Sequence, residues 1–292
     1  MVSIKKYNDV YISARKELRD AGVQSYDLEA RLIVAHAAGK TKEEYLRDSG
    51  LFITDEGFEQ RVAELLERRR GGEPVAYIIG EWEFYGLPIQ VNKDVLIPRI
   101  DTEVLAGAAI KILNSAQEPA RVLDLCAGSG CVGLAIAANT GDKRVVLADI
   151  SQNALKICRA NTIKNGLSRR VVCVEADVFQ PPAKHLGVFD VIVCNPPYIP
   201  TDEIKGLDPS VALYEPVGAL DGGDDGLDFY RAVASGWRDV LCDGGILAFE
   251  CGIGQSKDVA AIMSDNGFEN IKILKDTLNI ERVIIGRVRH GG

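Results

Sequence analysis

The sequence predicts an α/β protein: a doubly wound, mostly parallel sheet with an antiparallel last strand, preceded by a small N-terminal helical domain and a β-hairpin linker. Three observations carry this. From residue 121 onward, short apolar runs alternate with stretches of helical period, the pattern of parallel strands joined by crossover helices. The last two runs, 270–274 and 281–288, have only residues 275–280 between them, too few for a helical crossover, so they pair antiparallel. The start of the chain repeats its apolar residues at helical spacing instead.

The N-terminal elements follow from stripes and stop signals. Residues 8–20 place Val10, Ala14 and Leu18 on one face, closed by Gly22. Asp27 is positioned to cap a second helix carrying Leu28, Leu32 and Ala35, ended by Gly39. Thr41 and Glu44 have the capping-box spacing for a short third helix. Thr54 opens a fourth, with Phe58, Val62, Leu65 and Leu66 at helical period, which stops at Gly71-Gly72. Its last turn, Arg68-Arg69-Arg70, reads either as a nucleic-acid patch or, more simply, as cations suited to a helix C-terminus. Two apolar stretches, 75–80 and 84–91, read as a β-hairpin linker, and 104–113 as a helix.

Strands are expected at 121–126, 144–150, 171–176, 188–194 and 245–251, besides the final two, with helices at 132–138, 152–165, 228–241 and 257–266. This gives a helical domain over 1–72, a linker over 73–98 and an α/β domain over 99–292, with no internal repeat. A chain of 292 residues suits about two domains of ~100–200 residues each.

Composition narrows the function classes. The chain is 47% hydrophobic and 26% charged, a globular mixture that excludes a disordered or collagen-like polymer. Its 34 basic and 42 acidic side chains give a net charge of −8, which lacks the basic excess of a general nucleic-acid binder. Residues 1–72 balance 13 basic against 13 acidic groups, so the acidic excess lies wholly in the remainder. No apolar run approaches the roughly 20 residues needed to span a bilayer. No apolar segment follows Lys5-Lys6, so no secretory signal is visible. Seven cysteines, an odd number with no Cys-x-x-Cys spacing, fit a reduced cytoplasmic protein better than a disulfide framework or a zinc site.

The chemistry concentrates at strand ends. Asp124-Leu125-Cys126-Ala127-Gly128-Ser129-Gly130 follows the first strand of the α/β part and opens a helix. Glycines there permit a tight turn and let a ligand approach the backbone at a helix N-terminus. Gly128-x-Gly130-x-x-Gly133 matches the dinucleotide fingerprint. Asp149 lies 19 residues past Gly130, the distance at which a carboxylate reaches ribose hydroxyls. A nicotinamide and S-adenosylmethionine both present a ribose, so these residues leave the two open. Close helix–strand packing alone is a third explanation of the glycines. Asp124 tips the balance: Asp-x-x-x-Gly-x-Gly resembles motif I of class I methyltransferases. After the third strand, Asp177 is placed to accept from an adenine amino group while Val178 packs on the ring. Alternatively, Asp177 caps a turn before Pro181-Pro182.

The fourth strand ends in Asn195-Pro196-Pro197-Tyr198, a far more specific signal than any glycine pattern. These residue types suit a planar nitrogen conjugated to a carbonyl or an aromatic ring, whose delocalised lone pair is a poor nucleophile. Acceptors aimed at both N–H bonds would place that group and stabilise positive charge arriving on nitrogen. Asn195 offers its side-chain oxygen and Pro196 its carbonyl. Fixed proline φ angles stiffen the turn, and Tyr198 supplies a flat face for stacking. No strong base is required. His36, His185 and His290 all lie away from predicted strand ends, as structural or surface residues.

With these residues assembled, the chain resembles the release-factor glutamine N5-methyltransferase family, of the HemK or PrmC type, over nearly its full length. Pro74-Val75-Ala76-Tyr77-Ile78-Ile79-Gly80, Phe84-Tyr85-Gly86-Leu87 and Val95-Leu96-Ile97-Pro98-Arg99 resemble the family's signature before the catalytic domain. The family continues Arg-Pro-Glu-Thr-Glu where this chain has Arg99-Ile100-Asp101-Thr102-Glu103. The resemblance implies a class I methyltransferase fold. It also implies methyl transfer from S-adenosyl-L-methionine to the glutamine of the Gly-Gly-Gln loop in class 1 peptide chain release factors. By position, Cys126, Ala127, Gly128, Ser129, Gly130, Asp149, Val178 and Asn195 would contact the cofactor, and Asn195 to Tyr198 would hold the glutamine. Glu215-Pro216 and 219–228 also resemble the family, as a loop near the site or a solvated connection.

Alternatives stay open at this stage. The same tetrapeptide serves adenine-N6 methyltransferases, which must grip phosphates and flip a base. The charge balance speaks against that reading. A glutamine methyltransferase acting on a ribosomal protein is chemically indistinguishable. A cofactor-binding regulator without turnover and a nicotinamide oxidoreductase complete the set.

Overall fold

The computed structural model describes residues 5–115 and 119–289; His290 therefore lies outside the described residues. The chain divides into two units, Met1–Gly80 and Glu81–Gly292.

The first unit is built from α1 (Tyr7–Asp20), α2 (Tyr26–Ala37), α3 (Lys42–Asp48), α4 (Phe58–Arg70) and α5 (Val75–Ile79). The predicted stripe Val10, Ala14, Leu18 is buried on α1. At α3, the Thr41 hydroxyl accepts the Glu44 N–H while the Glu44 carboxylate accepts the Thr41 N–H. Other details differ from expectation. Asp27 does not cap α2, which starts a residue earlier; its carboxylate accepts from the Tyr11 hydroxyl at 2.8 Å and pairs with Arg15 at 2.7 Å. Of the expected α2 positions, Ala35 is buried and Leu28 is exposed; Ala30, Ile33, Val34 and Ala37 are buried besides, where α2 meets α1, α4 and α5. Helix α4 begins at Phe58 rather than Thr54, since Asp55 forms a local turn with the Gly57 N–H. Arg68, Arg69 and Arg70 pair with Glu73, Glu29 and Glu17, so they form no free basic patch. Residues 75–79 are helical rather than extended; Gly80, at φ 75°, ends the helix.

The second unit opens with a hairpin, β1 (Glu81–Phe84) against β2 (Leu87–Gln90). Tyr85 and Gly86 both take positive φ at its turn, the twist that suits a two-residue hairpin loop. The elements that follow are α6 (Glu103–Ser115), β3 (Arg121–Leu125), α7 (Cys131–Asn139), β4 (Arg144–Asp149), α8 (Gln152–Lys164), β5 (Val171–Glu175), β6 (Phe189–Cys194), α9 (Pro209–Ala212), α10 (Asp228–Gly236), β7 (Leu241–Glu250), α11 (Ser256–Asp265), β8 (Phe268–Lys275) and β9 (Glu281–Val288). Helix α10 is shorter than predicted because Leu241 to Gly245 belong to β7, where Leu241 pairs Phe189.

Seven strands form one sheet in the order β5-β4-β3-β6-β7-β9-β8. Every pairing from β5 to β7 is parallel, and β9 runs antiparallel to both β7 and β8. The strand order therefore reverses between β3 and β6, and a ligand crevice forms beyond the carboxyl ends at such a point. Leu123, Leu125, Ile192, Cys194, Leu247 and Phe249 pack with Tyr230 and Trp237 in the buried core. None of the described helices is long and apolar enough to cross a membrane.

Helix α7 lies unusually close to the sheet at Gly133. A Cβ there would sit 2.2 Å from Leu147 Cδ2 and 3.0 Å from Asp124 Oδ2. Gly133→Ala is expected to cost about 1–3 kcal/mol through overpacking, measured as a lower urea midpoint at unchanged m-value.

Candidate active site

Beyond β3 the backbone turns left-handed at Cys126, Gly128 and Gly130 (φ 57°, 55° and 81°) before α7 begins. For Cys126, a non-glycine residue, this conformation costs about 1–2 kcal/mol, so neighbouring elements must hold it. The Ala127 N–H donates to the Ala148 carbonyl at 3.0 Å, and the Gly128 N–H to Asp149 Oδ2 at 2.8 Å. From α8, Asn161 donates to the Ser129 carbonyl at 2.9 Å and the Cys158 thiol contacts the Gly128 carbonyl at 3.1 Å. Asp149 also accepts from the Ser151 N–H through Oδ1 at 2.8 Å. Each of its oxygens keeps a lone pair for a further donor, the capacity a vicinal diol requires. Burial pushes the Asp149 carboxyl upward, against backbone donors from Ser151, Gly128 and Ile150.

Asp124 is 1% exposed and accepts the Gly133 N–H at 2.8 Å. It thus ties β3 to the first turn of α7. Burial pushes its carboxyl up to about 7, opposed by the Gly133 hydrogen bond and reinforced by Asp149.

Opposite the glycine loop, Val178 is buried and its carbonyl accepts from Trp237 Nε1 at 3.0 Å. Phe179 meets Phe229 edge-on at 4.8 Å between ring centroids. Asp177 accepts the Phe179 N–H at 2.9 Å and also lines the cavity, so the turn-capping and ligand-facing readings of this residue coexist.

The Asn195 corner is fixed from several sides. The Ile199 N–H donates to the Leu220 carbonyl, and the Gly222 N–H to the Ile199 carbonyl, both at 2.9 Å. Gln255 donates to the Tyr198 carbonyl at 2.9 Å. A Cβ on Gly226 would lie 2.3 Å from the Tyr198 carbonyl oxygen, so glycine is required there for close approach. The glycine-rich stretch is therefore part of the corner's packing, not a solvated connection. Burial pushes the Tyr198 hydroxyl up to about 12, which keeps the phenol neutral.

One cavity of about 290 Å³ joins these parts. Asp124, Cys126, Ala127, Gly128, Ser129, Asp149, Asp177, Val178, Asn195 and Pro197 all line it. Gly130, Pro196 and Tyr198 are not among its lining residues. Gly130 is needed for conformation instead, with Leu147 and Cys158 within 3.3 Å of where a Cβ would stand. Its character suits a nucleoside: a carboxylate with free lone pairs, backbone amides at a helix start, and an apolar wall of Val178, Phe179 and Phe229.

The cavity's other wall comes from two stretches that sequence reasoning named only by resemblance, 99–103 and the loop from Glu215, of which Pro216, Gly218 and Ala219 line the cavity. Arg99 lines it and forms an ion pair with buried Glu215, which also accepts the Ile97 N–H at 3.3 Å. Asp101 pairs with Arg282 at 3.1 Å, Thr102 accepts from Asn195 at 3.3 Å, and Glu103 accepts the Tyr85 N–H at 2.8 Å. Ile100, where the family pattern has proline, is 79% exposed, so that departure falls in solvent. Sequence reasoning also passed over Glu250, a carboxylate that follows the apolar run 246–249 at the end of β7.

A nucleoside-shaped cavity at the switch point of this seven-stranded sheet defines a class I methyltransferase. The family model described as the methyltransferase small domain matches residues 102–206, and that described as the PrmC N-terminal domain matches residues 9–80. A protein named release factor glutamine methyltransferase from Agrobacterium fabrum is 38% identical over 279 residues, covering 94% of this chain and 95% of that one. One of the same name from Clostridium acetobutylicum is 34% identical, covering 98% and 99%. A crystal structure of a methyltransferase from Pyrococcus furiosus shares the fold at a TM-score of 0.51 and 17% identity, covering 71% and 91% of the two chains. The chain belongs to the release factor glutamine methyltransferase family.

The buried Asp124 carboxyl has a testable signature. Its folded pKa, near 7, exceeds its unfolded value of about 3.9, so the folded state binds more protons between the two. This group's contribution to stability therefore falls as pH rises from about 4 to about 7. Asp124→Asn keeps an oxygen for Gly133 and should flatten that fall, as read by urea titrations of the ligand-free protein across the window.

Proposed function

We propose that this protein transfers a methyl group from S-adenosyl-L-methionine to the side-chain amide nitrogen (N5) of the glutamine in the Gly-Gly-Gln motif of class 1 peptide chain release factors. The carrying observation is Asn195, which directly follows β6 and lines the cavity, in a chain whose relatives bear that activity in their names. The same reading makes it a cytoplasmic enzyme, consistent with seven free thiols.

When bound, the cofactor supplies a methyl carbon on a sulfonium, an electrophile with a neutral thioether as leaving group. The loop 126–130 would hold its amino-acid end, Asp149 would accept from the ribose hydroxyls, and Val178 with Phe179 and Phe229 would enclose the base. The Asn195 oxygen and the Pro196 carbonyl accept the two N–H bonds of the glutamine amide, which points the nitrogen lone pair at the methyl carbon. Accepting the methyl group would leave this nitrogen positively charged, and the same two oxygens would stabilise that charge. The alkylated amide then loses its proton to water. Tyr198, kept neutral by burial, serves as a stacking face and not as a base.

The direct test incubates the protein with methyl-labelled cofactor and, separately, a release factor, ribosomal proteins and DNA, then locates the label by peptide mass spectrometry. Label on the Gly-Gly-Gln glutamine supports the reading; label confined to a ribosomal protein or to adenine overturns it. Asn195→Ala is expected to lower kcat by about 100-fold or more while S-adenosylhomocysteine affinity changes by less than about threefold. Asp149→Ala removes ribose acceptors and the anchor of the Gly128 N–H. Calorimetry should show cofactor affinity weakened about tenfold or more, the equivalent of one charged hydrogen bond.

A further inference from the structure

At the carboxyl end of β7, Glu250 is 2% exposed, and its Oε2 has no hydrogen-bond partner among the described residues. A buried carboxylate with an idle oxygen destabilises the fold, so packing does not account for it. Its surroundings do. Cys194 pairs Phe249 in the parallel register of β6 and β7, which brings the next residues, Asn195 and Glu250, to adjacent strand ends. Asn195 Nδ2 donates to the Thr102 hydroxyl at 3.3 Å, and the polar ends of Asn195 and Thr102 both favour the ionised form of the Glu250 carboxyl.

An asparagine amide has two opposite ends. Turned by 180°, it would face an incoming NH2 group with its own N–H bonds and repel it. Engaging both N–H bonds away from the substrate leaves the oxygen free. We propose that Glu250 and Thr102 are positioning residues that lock the Asn195 amide with its oxygen toward the methyl acceptor. This rests on the reading of Asn195 as the acceptor of the glutamine N–H.

The lock depends on Glu250 being ionised. Arg282 on β9 favours that form, but its charge is shared with Asp101 and Asp276. Asp101, Cys251, Tyr198, Tyr230 and Cys131 also face the group. Burial outweighs the donors and pushes the Glu250 carboxyl up to about 7. Once protonated, the carboxyl becomes a donor able to bond the Asn195 oxygen, which favours the turned amide. Turnover should therefore decline as pH falls through about 7.

Glu250→Gln fixes a donor there at every pH. Steady-state transfer to full-length release factor by this variant should show kcat reduced about tenfold or more and nearly flat with pH. S-adenosylhomocysteine affinity and the thermal midpoint should stay close to those of the parent. Thr102→Val should lose kcat similarly, and Thr102→Ser should recover most of it. Parental kcat and pH profile in Glu250→Gln, or a kcat loss matched by equal loss of cofactor affinity, overturns the proposal. A parent enzyme that leaves the release factor unmethylated counts against the functional reading instead. In that case the Asn195 side-chain NH2 signal decides independently: the proposal requires slow exchange and a titration near pH 7 in the parent, both lost in Glu250→Gln. A freely exchanging, pH-insensitive signal overturns it.

Discussion

The site depends on one pairing, the parallel register of β3 with β6 that sets Leu125 opposite Cys194. The next residue on each strand is Cys126, which starts the loop before α7, or Asn195, which starts the corner held by Gln255, and both line the cavity. Because the two strands are hydrogen-bonded neighbours at the point where strand order reverses, both halves of the chemistry open onto one cavity. A slip of register would turn each side chain to the opposite face of the sheet and separate the methyl donor from the nitrogen meant to receive it.

Around that junction, nearly every polar group is held by an element distant in sequence. The loop after β3 is fastened by Asp149 and by Asn161 of α8. The corner after β6 is fastened by Gln255 and by the 220–226 stretch. Five consecutive residues leading into α6 divide the remaining work: Arg99 reaches Glu215, Asp101 reaches Arg282, Thr102 reaches Asn195 and Glu103 reaches the hairpin turn, while Ile100 faces solvent. Such support suits a reaction whose catalysis is mainly placement of a weak nucleophile.

Much of this was legible in the sequence, for identifiable reasons. Parallel strands buried on both faces read as apolar runs, and the short spacer before residue 281 gave the reversed last strand. Asp149 stood out by its spacing from the glycine loop, and Asn195 by the tetrapeptide that it opens after a strand. Other features depend on where the chain folds back. Residues 75–79 are apolar throughout and short, so periodicity cannot separate helix from strand; Gly80 decides it by ending a helical turn. On α2 the residues 30, 33, 34 and 37 also stand at helical spacing, and only packing against the neighbouring helices selects that face over the one through Leu28. Glu250 and Thr102 gain meaning only when β7 lies beside β6, a pairing of residues 55 positions apart at Cys194 and Phe249, and when Thr102 meets Asn195 from 93 positions away.

The central claim is that the oxygen of Asn195 meets a planar NH2 group next to the donor sulfur. The most direct measurement is a crystal structure of the protein with S-adenosylhomocysteine and a peptide containing Gly-Gly-Gln. The account predicts the glutamine nitrogen about 3 Å from Asn195 Oδ1, on the sulfur's side of the cavity. A glutamine bound elsewhere, or an Asn195 side chain presenting its nitrogen to the peptide, would contradict it.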